Sequence, residues 1–123
     1  MEMPLLVSVV DDDESVRESL PDLLKEFGFT VQAFSSAQDF LESACLDQTS
    51  CLILDIAMPG MSGPELAKEL KQRGYCIPII FITAHVDVAQ RARWISLGAV
   101  ACLLKPFSEA ELLKALSAAI PLN

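Results

Sequence analysis

The chain carries little positive charge. Nine Lys and Arg residues stand against 17 Asp and Glu residues in 123 positions, so the formal net charge is −8 at pH 7. No cluster of basic residues occurs anywhere in the sequence. Because nucleic acids and anionic lipid surfaces are bound through Lys and Arg, we expect this chain to make no direct contact with nucleic acid or with a membrane.

The sequence also lacks a long hydrophobic run, and no basic N-terminal segment precedes an apolar stretch. A membrane-spanning helix needs about 20 apolar residues, so neither a membrane span nor a secretion signal is predicted. No CxxC pair and no histidine at zinc spacing accompany the four cysteines, which are Cys45, Cys51, Cys76 and Cys102. The cysteines are therefore expected to be free thiols in a reducing cytoplasm.

Five short apolar runs are present, and segments of helical periodicity follow them. The runs end at Val10, Phe34, Leu54, Ile82 and Leu104. The second run is polar enough to be an edge strand, whereas the others are almost continuously apolar, as strands covered on both faces are. This alternation predicts an α/β fold, a (βα)5 doubly wound parallel sheet. Since no linker or low-complexity segment interrupts it, residues 1–123 are expected to form a single domain.

Several helix boundaries can be predicted from capping residues. Ser35 and Ser36 offer an N-cap for the second helix, and Ser108 with Glu111 forms a capping box for the last helix. The last helix is expected to bury Leu112, Leu113, Leu116, Ala119 and Ile120.

The fourth helix is predicted over residues 87–97, and its apolar stripe is predicted to be Val88, Ala89, Ala92 and Ile95. At about 100° per residue, Trp94 lies nearly opposite Ala92, so we expect its side chain to be partly exposed and able to anchor a partner. The alternative is a partly buried tryptophan that packs on neighbours of its own helix.

Polar residues stand where four of the apolar runs end. They are Asp11, Asp12, Asp55, Thr83 and Lys105. If the runs are parallel strands, these side chains emerge at the carboxyl edge of one sheet, where open α/β sheets bind ligands. Clustered carboxylates favour a hard divalent cation such as Mg²⁺. The set therefore predicts a phosphoryl-transfer site in which Asp55 is the nucleophile and Lys105 and Thr83 contact the phosphoryl oxygens.

Each of these residues also has a structural interpretation. Asp11 and Asp12 could belong to a solvated acidic loop before a helix, where carboxylates favour the positive end of the helix dipole. Thr83 could be a β-branched residue that closes a strand, and Lys105 could be a surface lysine before a proline. Their joint placement after successive strands is what favours a shared site.

In the following segments the chain resembles the receiver domain of a two-component response regulator. They are Val10-Asp11-Asp12 with Val16-Arg17 and Leu20, Leu54-Asp55 with Met58-Pro59-Gly60-Met61-Ser62-Gly63, Ile82-Thr83-Ala84, Gly98-Ala99, and Lys105-Pro106-Phe107. They cover nearly the whole chain in order. The resemblance extends to the nitrogen-fixation and nodulation regulators, whose members commonly carry a C-terminal helix-turn-helix.

The resemblance implies a flavodoxin-like fold with strand order 2-1-3-4-5. It implies that Asp55 accepts a phosphoryl group from a sensor histidine kinase, and that Thr83 and Lys105 contact this group. The implied Mg²⁺ or Mn²⁺ ligands are Asp11, Asp12, Asp55 and the backbone carbonyl of Ala57. The peptide bond between Lys105 and Pro106 is expected to be cis.

The resemblance also implies an output surface on the fourth helix, fifth strand and fifth helix, and a phosphorylation-dependent homodimer. Most receivers have an aromatic residue three positions before the lysine, and here this position is Cys102. A switch at Cys102 must therefore use other groups, or be weaker. Cys102 could alternatively be a redox sensor, and His85 could control water access to the phosphoryl group or be an ordinary loop residue. The chain is expected to be a receiver excised from a longer transcription regulator with a C-terminal DNA-binding domain.

Two other functions compete with a signalling module. A phosphatase or phosphotransferase with an aspartate nucleophile usually has a second aspartate two residues later, but this chain has Ala57 there. A flavin-binding module of the same fold needs a Ser-, Thr- or Gly-rich phosphate loop after the first strand, and Asp11 to Glu14 would repel the phosphate. Both comparisons favour a receiver that is not an enzyme.

Overall fold

The structure is a computed structural model that describes residues 5–84 and 88–120, without the side chains of residues 88, 89 and 91. The strands are β1 (Leu6–Val10), β2 (Thr30–Phe34), β3 (Thr49–Asp55), β4 (Ile79–Thr83) and β5 (Ala99–Leu104). The helices are α1 (Glu14–Glu26), α2 (Ala37–Leu41), α3 (Gly63–Gln72), α4 (Val88–Ser96) and α5 (Glu109–Ala119), and a 3₁₀ turn spans Leu46–Gln48.

All five strands are parallel and form one sheet in the order β2-β1-β3-β4-β5. The predicted α/β class, strand order and edge position of β2 are therefore confirmed. The three inner strands are buried almost throughout, because helices cover both faces of the sheet. None of the described helices is long and apolar enough to cross a membrane.

Two separate hydrophobic cores hold the layers together. One lies on the face covered by α1 and α5 and includes Leu24, Ile53 and Leu116. The other lies on the opposite face, under α2, α3 and α4, and is centred on Phe40, Leu66 and Phe81. Alternate residues of each strand point into opposite cores, so the two helix layers fix the height and twist of the strands that carry the site.

Serine N-caps begin three of the helices. Ser36 accepts a hydrogen bond from the amide of Asp39, and both Ser62 and Ser108 form complete capping boxes with Glu65 and Glu111. The predicted caps at Ser36 and Ser108 are confirmed. Each such cap stabilises its helix by about 1 kcal/mol, because a terminal amide that would otherwise lack a partner is satisfied.

The predicted phase of α4 is wrong. Trp94 is only 5% exposed and packs against Phe81, whereas Ala92 is exposed and Ile95 is 63% exposed. The buried face of α4 thus lies nearly opposite the predicted one, because at about 100° per residue Trp94 and Ala92 are about 160° apart around the helix. Burying the indole removes far more apolar surface from water than burying alanines would, and this term sets the rotation of a nine-residue helix.

A smaller error concerns α5. Leu113, which was predicted to be buried, is 41% exposed, while Leu112 and Leu116 are fully buried. Leu112, Ala115, Leu116 and Ala119 form an i, i+3, i+4, i+7 stripe that leaves Leu113 at its margin.

Candidate functional site

The polar residues predicted to converge do meet at the carboxyl edge of the sheet. Asp11 follows β1, Asp55 ends β3, Thr83 ends β4 and Lys105 follows β5. The strands that carry them are adjacent, and the ladder continues past their ends, since the amide of Lys105 donates to the carbonyl of Thr83 at 2.7 Å. The sheet therefore brings together four residues that lie up to 94 positions apart in the sequence.

Three carboxylates form the centre of this edge. One oxygen from each of Asp11, Asp12 and Asp55 lies within 4.8 Å of the others. Asp11 is fully buried, Asp55 is 5% exposed, and Asp12 faces solvent. A hard divalent cation such as Mg²⁺ takes oxygen ligands, often one or two carboxylates plus water and phosphate oxygens. The donor set thus fits such a cation, with Asp12 on the side from which it would enter.

Lys105 places its ammonium group against two of these acids. Its Nζ lies 2.9 Å from Oδ2 of Asp11 and 3.6 Å from Oδ1 of Asp55. Burial lowers the pKa of Lys105, but the hydrogen bond and charge of Asp11, together with the charge of Asp55, raise this pKa above its ordinary value overall. Lys105 is therefore a fixed positive charge beside Asp55. The Lys105-Pro106 peptide that follows is cis, as expected.

Asp11 is held from several directions. Its Oδ1 accepts a hydrogen bond from the amide of Asp13 at 2.9 Å, and its backbone carbonyl accepts one from Nη1 of Arg17 at 3.1 Å. Its other carboxylate oxygen, Oδ2, is buried and pairs with the Lys105 ammonium at 2.9 Å. Asp11 is therefore fixed in place by its neighbours before any ligand binds.

The environment of Asp55 disfavours its negative charge. Burial, followed by the charge of Asp11, raises the pKa of Asp55 from 3.8 to about 6, against the opposing attraction of Lys105. Among the residues that the structure describes, the three carboxylates thus carry more negative charge than the Lys105 ammonium offsets. A bound divalent cation would reverse this balance, because it attracts all three carboxylates at once.

Gly63 allows α3 to approach the end of β3. The amide of Gly63 donates to the carbonyl of Ile56 at 3.0 Å, and a Cβ atom on Gly63 would overlap the carbonyl oxygen of Asp55 and lie 3.0 Å from the Cα of Ile56. In the sequence, Gly63 is recognisable only as the last residue of the segment Met58-Pro59-Gly60-Met61-Ser62-Gly63. Its role is to let the helix pack on the backbone of Asp55, a requirement that becomes visible only once the helix and strand are placed.

The other predicted positions have varied surroundings. Thr83 is buried, with 7% of its surface exposed, and Cys102 is half-buried. Ala57 is exposed two residues after Asp55. Trp94 is buried, which corrects the prediction of a partly exposed anchor on the surface. His85 lies outside the described residues. Arg17, which supports the backbone of Asp11, was matched only as part of a motif, since no sequence pattern shows a side chain reaching back to a carbonyl.

Comparison with known proteins identifies a family. The response regulator receiver domain matches residues 7–117. Nodulation protein W of Bradyrhizobium diazoefficiens is 47% identical over 114 residues, which are 93% of this chain and 50% of the relative. Response regulator protein TodT of Pseudomonas putida is 44% identical over 117 residues, or 95% and 52% of the two chains. Transcriptional regulatory protein FixJ of Azorhizobium caulinodans is 41% identical over 116 residues, or 94% and 55%.

Solved structures agree. The response regulator StyR superimposes with a TM-score of 0.89 at 47% identity, over 98% of this chain and 61% of that one. The structure of FixJ-N gives a TM-score of 0.83 at 37% identity, over 96% and 94% of the two chains. The chain spans about half the length of the curated relatives named above. Its relatives include the nodulation and nitrogen-fixation regulators that the sequence motifs indicated, and the chain belongs to the receiver domain family of two-component response regulators.

Proposed function

We propose that Asp55 is the phosphoacceptor of this receiver and takes a phosphoryl group from a sensor histidine kinase in a reaction that requires Mg²⁺ or Mn²⁺. The observation that carries the proposal is the convergence of three carboxylates and one ammonium group, with Asp11, Asp12 and Asp55 within 4.8 Å and Lys105 Nζ 3.6 Å from Asp55 Oδ1. Family membership supports the same assignment.

The chemistry follows from the charges at the site. A carboxylate oxygen of Asp55 forms a bond to phosphorus while the bond from phosphorus to the histidine nitrogen of the donor breaks, and the imidazole leaves with that electron pair. A bound divalent cation supplies charge neutralisation for the carboxylates and the phosphoryl oxygens. The Lys105 ammonium stabilises the charge on the transferred group, and the hydroxyl of Thr83 donates a hydrogen bond to it.

The metal ligands in this proposal are the carboxylates of Asp11, Asp12 and Asp55 and the backbone carbonyl of Ala57. The exposed Asp12 and buried Asp55 would bind directly, and Asp11 mainly through water, because Asp11 already carries the ion pair with Lys105. All of these donors are oxygens, which suits Mg²⁺ and Mn²⁺ better than softer metals.

The proposal makes this chain a signalling module rather than an enzyme. Ala57 stands where an aspartate-dependent phosphatase would need its acid–base carboxylate, and the methyl group of an alanine cannot activate water. Residues 1–123 would act as one cytoplasmic receiver domain, whose α4-β5-α5 surface controls an effector or a homodimer. Its net charge of −8 supports the view that it does not itself bind nucleic acid.

A DNA-binding domain beyond this chain is the proposed effector. The chain spans about half of each relative, and some of those relatives are named transcriptional regulatory proteins. In that arrangement the receiver regulates transcription only through its surface.

Intact-mass spectrometry tests the proposal. Incubation with Mg²⁺ and acetyl phosphate should add one phosphoryl group to the protein, and chelation of the metal with EDTA should prevent the addition. Asp55→Asn should abolish the adduct, whereas the control Asp22→Asn, at an exposed position on α1, should retain it. An adduct of unchanged yield on Asp55→Asn, or no adduct on the parent protein, would exclude Asp55 as the phosphoacceptor.

A further inference from the structure

A cavity of about 320 Å³ lies between α4 and β5. Its lining residues are Trp94, Ile95, Ala99, Val100, Ala101 and Cys102. On the side of the sheet that faces α4, the strand contributes only the small side chains of Ala99 and Cys102, whereas Ala101 packs against the opposite core. The space is large enough to receive part of an aromatic side chain.

Trp94 stands between this cavity and the core. Its ring centroid lies 5.9 Å from that of Phe81, with the two planes inclined by 52°, and only 5% of the residue is exposed. Phe81 is fully buried and is paired with Cys102 across β4 and β5. The indole therefore has a packed aromatic neighbour on one side and unfilled space towards Cys102 on the other.

Phe81 also connects this aromatic pair to the candidate site. Phe81 and Thr83 are two residues apart in β4, so their side chains lie on the same face of the sheet. Thr83 ends the strand at the edge where Asp55 and Lys105 meet. A row of three buried side chains, Thr83, Phe81 and Trp94, thus runs from the phosphoacceptor edge to the cavity.

We propose that the side chain of Trp94 changes position when Asp55 is phosphorylated, and that it then enters the cavity beside Cys102. The inference rests on the proposed phosphorylation of Asp55. A phosphoryl group there adds acceptor oxygens that draw the Thr83 hydroxyl towards them, which frees volume beside Phe81. In a close-packed core, a change of this kind makes neighbouring side chains repack into a second arrangement. The cavity provides the space into which the indole can move.

The consequence reaches the surface through two neighbours of the indole. Ile95 and Val100 line the same cavity and are 63% and 42% exposed. When the indole fills the cavity, these two side chains must take new positions, so the apolar surface presented by α4 and β5 changes. Trp94 acts here as a positioning residue, since it touches neither the phosphoryl group nor the acidic cluster.

The test uses the fact that Trp94 is the single tryptophan of the chain. The protein is treated with Mg²⁺ and acetyl phosphate, the adduct is measured by intact mass, and indole fluorescence, near-UV circular dichroism and the ¹⁹F resonance of 5-fluorotryptophan are recorded in parallel. We expect a spectral change in proportion to the phosphorylated fraction, and no change in Asp55→Asn.

Cys102→Phe tests the cavity directly, because the new ring would occupy the space. This variant should still gain the phosphoryl adduct but lose the spectral change, whereas the control Leu113→Phe, at an exposed position on α5, should retain both. Should Cys102→Phe fail to fold, the ¹⁹F resonance of the parent protein still decides the question.

The outcomes separate the two claims. An adduct on the parent protein without any change at Trp94 overturns the role of Trp94 and leaves Asp55 as the phosphoacceptor. An equal spectral change in Cys102→Phe overturns the role of the cavity. No adduct at all removes the proposed function, and the inference falls with it.

Discussion

Replacing Asp55 with asparagine should stabilise the metal-free protein. Burial and the charge of Asp11 raise the pKa of Asp55 from 3.8 to about 6, so the folded state holds the carboxylate in an unfavourable environment. A difference of about two pKa units corresponds to about 3 kcal/mol in the free energy of unfolding once the group is ionised in both states. Asparagine has nearly the same shape and removes this charge. The Asp55 carboxylate thus lowers the stability of the fold that carries it.

The effect must depend on pH in a definite direction. The folded state binds the Asp55 proton more tightly than the unfolded chain does, so this group lowers stability as pH rises from about 4 to about 6, and the loss is complete above that range. Asp55→Asn should therefore exceed the parent protein by about 3 kcal/mol at about pH 7.5, and by about 1 kcal/mol at about pH 4.5.

Urea unfolding in EDTA, followed by far-UV circular dichroism at the two pH values, measures this difference. Asp22→Asn is the control, since it removes one exposed carboxylate from α1 and should change stability by less than about 0.5 kcal/mol at both pH values. If Asp55→Asn is no more stable than the parent protein at about pH 7.5, or if its advantage is the same at both pH values, the electrostatic description of the site is wrong.

Three further predictions concern Gly63, Lys105 and the binding of Mg²⁺ at the candidate site. Gly63→Ala should destabilise the protein by about 1–3 kcal/mol in urea unfolding, although alanine favours helices, because the new Cβ overlaps the backbone of Asp55; Lys68→Ala, exposed on the same helix, should be nearly neutral. Lys105→Met should raise the pKa of Asp55 above about 6 in a ¹³C carboxyl titration, because the ammonium group lowers that pKa; an unchanged value would contradict the ion-pair geometry. Mg²⁺ should raise the melting temperature of the parent protein more than that of Asp55→Asn, and equal shifts would place the metal elsewhere.

The position of the site could be predicted from the sequence because the rule behind it is simple. Parallel strands that end at one edge bring their last residues together, so the ends of four apolar runs were enough to group Asp11, Asp55, Thr83 and Lys105. The serine caps that begin helices are equally local signals, and Ser36 and Ser108 cap α2 and α5 where they were predicted to.

The parts that were missed depend on packing between distant elements. The rotation of α4 follows from the burial of Trp94 against Phe81. The predicted stripe of Val88, Ala89, Ala92 and Ile95 gave the wrong phase because none of these side chains can bury as much apolar surface as the indole. The role of Gly63 depends on how closely α3 approaches β3, and that of Arg17 on a side chain reaching the carbonyl of Asp11. The periodicity of apolar residues along the sequence gives no information about the distances between elements that are far apart in the chain.

Locating the phosphoryl group within the chain tests the central claim most directly. After treatment with Mg²⁺ and acetyl phosphate, borohydride reduction converts an aspartyl phosphate into homoserine, which peptide mass mapping can assign to a position. The account predicts homoserine at position 55 alone, and none when EDTA is present. Conversion at Asp11 or Asp12 instead, or a phosphoryl group on a residue other than aspartate, would contradict it.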